Sequence, residues 1–461
     1  MLTPELLMPA GDMQRLKYAL AYGADAVYAG VPRYSLRTRE NGFSEKNIQE
    51  AIDYTHSQGR KIYLAMNIFP HNTKVDGMLD AFCRFADYRP DAFIVTDIGI
   101  IAKMRKLRPD AVIHLSTQAN ATNWAAVSFY QDLGIKRVII PRELSLKEIQ
   151  QIKEKVPEME LEAFVHGSMC MAYSGRCLIS NYLTHRDSNQ GNCANSCRWQ
   201  YKLASNKGSL KIIEDEMAPS ESPVEAPSEY KELEGEYFIS EKDRPDQVFP
   251  LDEDENGTYF FNSKDLCAIE ILNELRDAGI ESFKVEGRTK SLYYASIVSR
   301  AYRRALDDLT AGKPFNAENL HELIGTSNRS LMTGFFHRRP EEYGQNYEDG
   351  GSKPLTHVFV GHVQRYDAET KMAWIEFRNP VCVGETIEWL TPHGEVSQKV
   401  DMILDARNSP KQRISGGIIG GMRAPDNLNP FTILRKRFDP ELGPHKSPVF
   451  DVAQQVSLSA G

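Results

Sequence analysis

Four common catalytic signatures are absent from this chain. It carries no Walker A sequence, no GxGxxG after a strand-like run, no HExxH and no GxSxG. A phosphate-cradling loop, a dinucleotide fingerprint, a zincin helix and a nucleophile elbow are therefore not indicated. No long uncharged apolar stretch exists to span a bilayer. The N-terminal MLTPELLMPAGDMQRL has no basic flank leading into an apolar run, so no signal peptide is expected. These absences point to a cytoplasmic protein with no membrane partner. Cysteine is sparse, at seven in 461 residues. In a reducing compartment, clustered cysteines more often bind metal or do redox work than form structural disulfides.

The formal net charge of −8 speaks at first against a nucleic-acid partner. The acid is local, however. Residues 214–255 hold 16 Asp/Glu and only three Lys/Arg, and the rest of the chain has 52 basic residues against 47 acidic ones. A mildly basic body is compatible with an RNA-facing surface.

Strand-like runs alternate with helical stretches over the first 200 residues. The runs are LLMP (6–9), DAVYAG (25–30), KIYLAMN (61–67), AFIVTD (92–97), VIHLST (112–117), RVIIP (137–141) and LEAFVH (161–166). Helical stretches include 46–59 and 145–156; Ser145 and Glu148 suit a capping box that opens the second. An eighth run, SFKVEG (282–287), follows a long interruption. The pattern predicts an α/β fold, a TIM-type (β/α)8 barrel with its working end at the C-terminal ends of the strands. A cysteine-rich loop and an acidic, Pro- and Ser-rich insertion (about 203–258) follow strand seven. The insertion cannot bury enough apolar surface to fold alone and reads as flexible. An apolar-periodic helix is expected over 290–312, closed by Gly312. The barrel domain is placed at 1–350. From 355 to 440, alternating runs separated by turn signals predict a small C-terminal antiparallel β-barrel, with a tail at 441–461.

Four cysteines, Cys170, Cys177, Cys193 and Cys197, fall within 28 residues, separated by six, fifteen and three residues. Thiolates are soft, strong metal ligands. Structural zinc sites usually show two tight Cys-x-x-Cys pairs, so this spacing fits an iron–sulfur cluster better. Zinc and free thiols remain the alternatives. Gly167, Gly175 and Gly191 supply the sharp backbone changes that wrapping a cluster requires. Cys83, Cys267 and Cys382 sit among apolar residues and read as small buried hydrophobes. Polar residues at the strand ends supply the other candidates. Lys284, Glu286, His114 and His166 are candidate catalytic groups. Arg33, Arg37, Arg142, Arg288 and Gln118 are candidate substrate-binding groups. Alternation puts His114, Ser116 and Gln118 on one side of the chain, and Lys284 with Glu286 on one side of theirs. Asn67, Asp97 and Glu143 also lie at or just past strand ends. Any one of these residues serves equally well in a buried polar network that holds the barrel together. In the loop RYSLRTRENGF (33–43), arginine forks suit phosphate or carboxylate and the rings of Tyr34 and Phe43 suit bases. A solvated surface loop has the same composition.

The segment EAFVHGSMCMAYSGRCLIS (162–180) resembles the signature of the collagenase-like peptidase family U32. The resemblance covers almost the whole chain, including LLMPAGD, GADAVYAG, NSKDL (262–266), KVEGRTKS (284–291) and the appended C-terminal barrel. Length, the RYSLRTRENGF loop and that barrel most resemble members that form 5-hydroxyuridine at the wobble position of tRNA. The resemblance implies the tRNA anticodon arm as partner and an iron–sulfur cluster, of 4Fe–4S type, as cofactor. It also implies prephenate as a small carboxylate co-substrate, and iron–sulfur assembly proteins as helpers. Cys170 and Cys177 match the two cysteines of the signature; Cys193 and Cys197 match a downstream pair in similar proteins. A collagenase-like peptidase and a non-catalytic RNA-binding scaffold with a structural metal site are the other readings. Amide hydrolysis needs an activated nucleophile or a metal-bound water. No Ser–His–Asp order or zinc motif stands out, so the available chemistry points to redox.

Overall fold

A computed structural model describes residues 3–36, 42–170, 172–194, 196, 264–326, 330–337, 356–426, 428 and 430–437, with the backbone of three strands between 237 and 259. Seven strands come first: β1 (Glu5–Ala10), β2 (Ala26–Gly30), β3 (Lys61–Met66), β4 (Ala92–Val95), β5 (Ile113–Leu115), β6 (Arg137–Ile139) and β7 (Glu160–Gly167). Each pairs in parallel with the next. Three more, β8 (Tyr237–Glu241), β9 (Arg244–Asp254) and β10 (Gly257–Tyr259), form a separate antiparallel ladder. Two others, β11 (Asp265–Cys267) and β12 (Ser282–Val285), return to the barrel. β12 pairs in parallel with both β7 and β1, which closes an eight-stranded barrel. β11 runs antiparallel against the end of β7, and a two-residue strand, β13 (Leu331–Met332), joins it.

The strands are near-continuous apolar runs because a parallel barrel buries them on both faces. Leu6, Leu7 and Met8 are adjacent in β1 and all fully buried. Helices cover the outside: α1 (Met13–Ala21), α2 (Glu45–Ser57), α3 (Asn72–Asp87), α4 (Ile98–Leu107), α5 (Trp124–Asp132) and α6 (Leu146–Lys155). The capping box of α6 forms: the Ser145 backbone N–H donates to Glu148 Oε2 at 2.8 Å, and the Ser145 side chain accepts from the Glu148 N–H. Then come α7 (Ile179–Thr184), α8 (Leu272–Asp277), α9 (Leu292–Thr310) and α10 (Ala317–Ile324). α9 stops just before Gly312, whose φ is +67°.

The C-terminal unit is antiparallel throughout, and its main sheet is a half-barrel of eight strands. The two at its centre, β14 (His357–Asp367) and β15 (Met372–Phe377), pair with each other. Among the described residues the two end strands do not pair, so the expected small barrel stays open. Its own core includes Val360, Ile375, Phe377 and Trp389. A third apolar cluster fastens it to the first domain: Tyr18, Tyr22, Leu292, Tyr293 and Ile297 pack against Leu390 and Ile433. The Tyr22 hydroxyl donates to the Leu390 carbonyl at 2.8 Å, and buried Arg300 pairs with Glu322 and with Glu395. α9 is apolar on two sides because it lies between two cores.

The last part of the insertion carries β8 to β10, where Tyr237, Phe238, Ile239, Val248 and Phe249 are strand-forming residues. The stretch 203–236 and the tail 441–461 lie outside the described residues. Among the described residues no helix is long and apolar enough to cross a membrane.

Candidate active site at the barrel mouth

A charged layer crosses the barrel interior. The Glu162 carboxylate, fully buried, accepts from Lys284 Nζ at 2.7 Å and from Arg137 Nη1 at 3.2 Å. Arg137 also reaches Glu5 at 2.6 Å, and the Tyr63 hydroxyl donates to Glu5 at 2.7 Å. Buried charges matched in this way hold together; removing one partner costs about 3–5 kcal/mol. The Lys284 ammonium also sits 4.3 Å from the centre of the Tyr28 ring.

Above this layer lies a cavity of about 120 Å³, lined among others by Tyr28, Asn67, Ser116, Gln118, Arg142, Phe164, Lys284, Glu286 and Arg288. Arg142 is stacked on Phe164, its guanidinium carbon 3.9 Å from the ring centre. Its Nε and Nη2 are buried and have no hydrogen-bond partner among the described residues. Burial draws the Arg142 pKa down, while Glu286 and Cys170 nearby oppose that. Arg288 donates to the Leu36 carbonyl, and Asn67 Oδ1 accepts from the Leu36 N–H at 3.0 Å.

A second cavity, of about 160 Å³, lies over the first and shares Leu36, Thr117, Gln118, Arg142 and Glu286 with it. Its other walls come from the cysteine-rich loop and include Cys170, Cys177 and Cys193. The loop is tied to the barrel rim at two places. Glu143, just past β6, accepts from the Ser174 backbone at 2.7 Å and its hydroxyl at 3.1 Å. Beside it Gly175 (φ +74°) runs so close to the Gln118 carbonyl that a Cβ there would collide with it. On the other side the Phe69 N–H donates to the Asn189 carbonyl at 3.1 Å, and Lys74 Nζ donates to Gln190 Oε1 at 3.0 Å. Among the described residues, no three His, Cys, Asp or Glu side chains converge as a metal site. Cys197 lies outside the described residues. The donor set still suits a soft metal centre: three cysteines line one cavity on glycine-bent backbone.

The structure thus gathers Lys284, Glu286, Arg142, Arg288, Gln118 and three of the four clustered cysteines around two joined cavities. Among the described residues, neither cavity is lined by a histidine. His114 lies outside the cavity lining, its ring 4.8 Å from that of Tyr63. Burial, with Arg137 and Lys284 close by, holds it neutral, far below the usual range. His166 is turned away altogether. The β7–β12 register slips between Lys284 and Val285, and this bulge re-aims the side chain. Its ring packs against Tyr294 and Tyr302 of α9 instead. Arg33 is exposed, in the left-handed region (φ +68°), and lines neither cavity; Arg37 lies outside the described residues. Phe43 is buried in the core, so its ring is not offered to a base. Asp97 caps α4, accepting from the Ile100 N–H at 3.0 Å. Lys284 pairs with Glu162 rather than with Glu286 in its own run. Sequence reasoning passed over Tyr28, Glu162 and Phe164. The last two alternate inward in LEAFVH, and that periodicity was the available signal.

The family model for peptidase family U32 matches residues 11–346, and the model for the peptidase family U32 C-terminal domain matches 356–435. The chain belongs to peptidase family U32. Among U32 proteins it is similar to tRNA hydroxylation protein P of Haemophilus influenzae, with 42% identity over 92% of this chain and 94% of that one. It is also similar to tRNA hydroxylation protein P of Escherichia coli, with 43% identity over 88% of this chain and 90% of that one. The tRNA hydroxylation protein P1 of Bacillus subtilis is 37% identical over 85% of this chain and 84% of its own.

Two outcomes follow for this U32 chain. Glu143→Ala removes both bonds to Ser174, of a charge-assisted kind worth about 1.5–3 kcal/mol each. Amide exchange around residues 172–177 should rise at least tenfold with little change in melting; unchanged exchange would show that the loop is held elsewhere. Burial pushes His166 down to about 3, whereas an unfolded histidine titrates near 6.5. The unfolded chain takes up this proton first. Stability present above pH 6.5 is therefore lost as pH falls toward 3, by up to about 1.4 kcal/mol per pH unit. In denaturant unfolding between pH 6 and 4, His166→Gln should flatten this dependence; an unaltered slope would refute a buried neutral ring.

Proposed function

We propose that this chain hydroxylates tRNA, replacing the C5–H of the wobble uridine with C5–OH to give 5-hydroxyuridine. One observation carries the reading: the cysteine-lined cavity adjoins the barrel-mouth cavity, and the two share Gln118, Arg142 and Glu286 in their walls. Similarity over about nine-tenths of the chain to proteins named for tRNA hydroxylation supports it. Cys170, Cys177 and Cys193, with Cys197, would hold a 4Fe–4S cluster above the mouth. Such a cluster, with a cysteine on each iron, would supply one-electron redox capacity. Glu143 and Gly175 hold the loop over the mouth. Lys284 and Arg288 give the floor and rim positive charge, which suits an anionic substrate. An unstacked base of the anticodon loop can be extruded toward such a cavity. Prephenate is the co-substrate in this reading. A peptidase reading gains no support from the site, since the buried histidines His114 and His166 both lie away from the cavities.

Nucleoside mass spectrometry of tRNA tests this. A strain lacking the gene, and any redundant route, should lose 5-hydroxyuridine derivatives. The wild-type gene should restore them, and Cys170→Ser should not, while still yielding a folded protein that binds tRNA. Unchanged 5-hydroxyuridine in the deletion strain would defeat the proposal. A Cys170→Ser chain that unfolds and loses RNA binding in step would favour the scaffold reading.

A further inference from the structure

Arg142 follows β6 and projects into the junction of the two cavities, lining both. One face of its guanidinium is covered by Phe164 at 3.9 Å, which fixes the plane of the group. Among the described residues, its Nε and Nη2 have no hydrogen-bond partner. They are neighbours on the guanidinium and form one edge, with two parallel N–H bonds spaced to match the two oxygens of a carboxylate. The other cationic groups of the mouth are engaged: Lys284 with Glu162, and Arg288 with the Leu36 carbonyl. Glu143 is taken up by Ser174 and Asn120. A buried charged fork with an unused edge is costly for a folded chain unless it serves a ligand. The two cavities that it lines, about 120 and 160 Å³, give room on both sides of it for a small molecule.

We propose that Arg142 is the anchor of a small-carboxylate subsite, gripping the carboxylate through its Nε–Nη2 edge between the mouth and the cysteine cavity. This deepens the proposed function and rests on it only for the identity of the co-substrate. It separates Arg142 from the other arginines: one fork selects the carboxylate, and tRNA phosphates are bound elsewhere.

Isothermal titration of anaerobically purified holoprotein with prephenate, inorganic phosphate and a tRNA anticodon arm tests it. Wild-type protein should bind prephenate, and phosphate at least tenfold more weakly. Arg142→Lys keeps a charge but lacks the fork, and should weaken prephenate binding at least tenfold; Arg142→Met should abolish it. Arg33→Gln should bind prephenate like wild type. Anticodon-arm affinity should stay within about twofold in the Arg142 variants. Ligand-free Arg142→Met should melt at or near the wild-type temperature, because it loses a buried charge whose Nε–Nη2 edge makes no hydrogen bond among the described residues. Full prephenate binding by Arg142→Lys, or none by wild type, would overturn the subsite. So would a parallel loss of anticodon-arm affinity, which would place a phosphate on the fork, or a sharp fall in melting temperature, which would make Arg142 structural. If Arg142→Met still supports tRNA hydroxylation in cells, only this inference fails; if the deletion strain keeps its 5-hydroxyuridine, only the functional reading does.

Discussion

The site depends on how the cysteine-rich loop is fastened to the barrel rim. Glu143 takes both the backbone and the hydroxyl of Ser174, and the glycine that follows lets the chain pass against the Gln118 carbonyl. A side chain at Gly175 would both collide there and resist the left-handed conformation. These contacts place Cys170, Cys177 and Cys193 along the cavity over the strand ends. Without them the barrel mouth would be an ordinary polar cavity and the cysteines an ordinary surface loop.

Beneath that lid, the barrel separates two kinds of polar group. Arg137, Lys284, Glu5 and Glu162 satisfy one another and hold strands β1, β6, β7 and β12 in register. This layer serves stability, and the charges of Arg137 and Lys284 add to the burial that keeps the His114 imidazole neutral. One level higher, the groups face open space. Lys284 belongs to both levels: its ammonium is held from below by Glu162, and its charge still contributes to the cavity floor.

Much of the barrel was legible in the sequence because its strands are buried on both faces and therefore read as apolar runs. LLMP, DAVYAG and KIYLAMN mark β1, β2 and β3 to within about a residue. β11 and β13, at three and two residues, leave no periodicity to read. The clustered cysteines were legible because their message is local. His166 misled because alternation assumes an unbroken register, and a bulge beside Lys284 shifts it. Alternation in LEAFVH aims Glu162 inward, but its pairing was not legible: it lies 122 residues from Lys284 in the chain, and the two meet only because β12 closes the barrel against β7 after a long insertion. Arg142 was one of several arginines in the sequence, and only burial and the stacking of Phe164 set it apart.

The account rests finally on what the thiols above the mouth hold. Iron and acid-labile sulfide, measured on anaerobically purified protein, test this most directly. About four of each per chain are expected, with a brown absorbance lost when any of Cys170, Cys177, Cys193 and Cys197 becomes serine. A colourless protein containing neither iron nor sulfide would contradict the account.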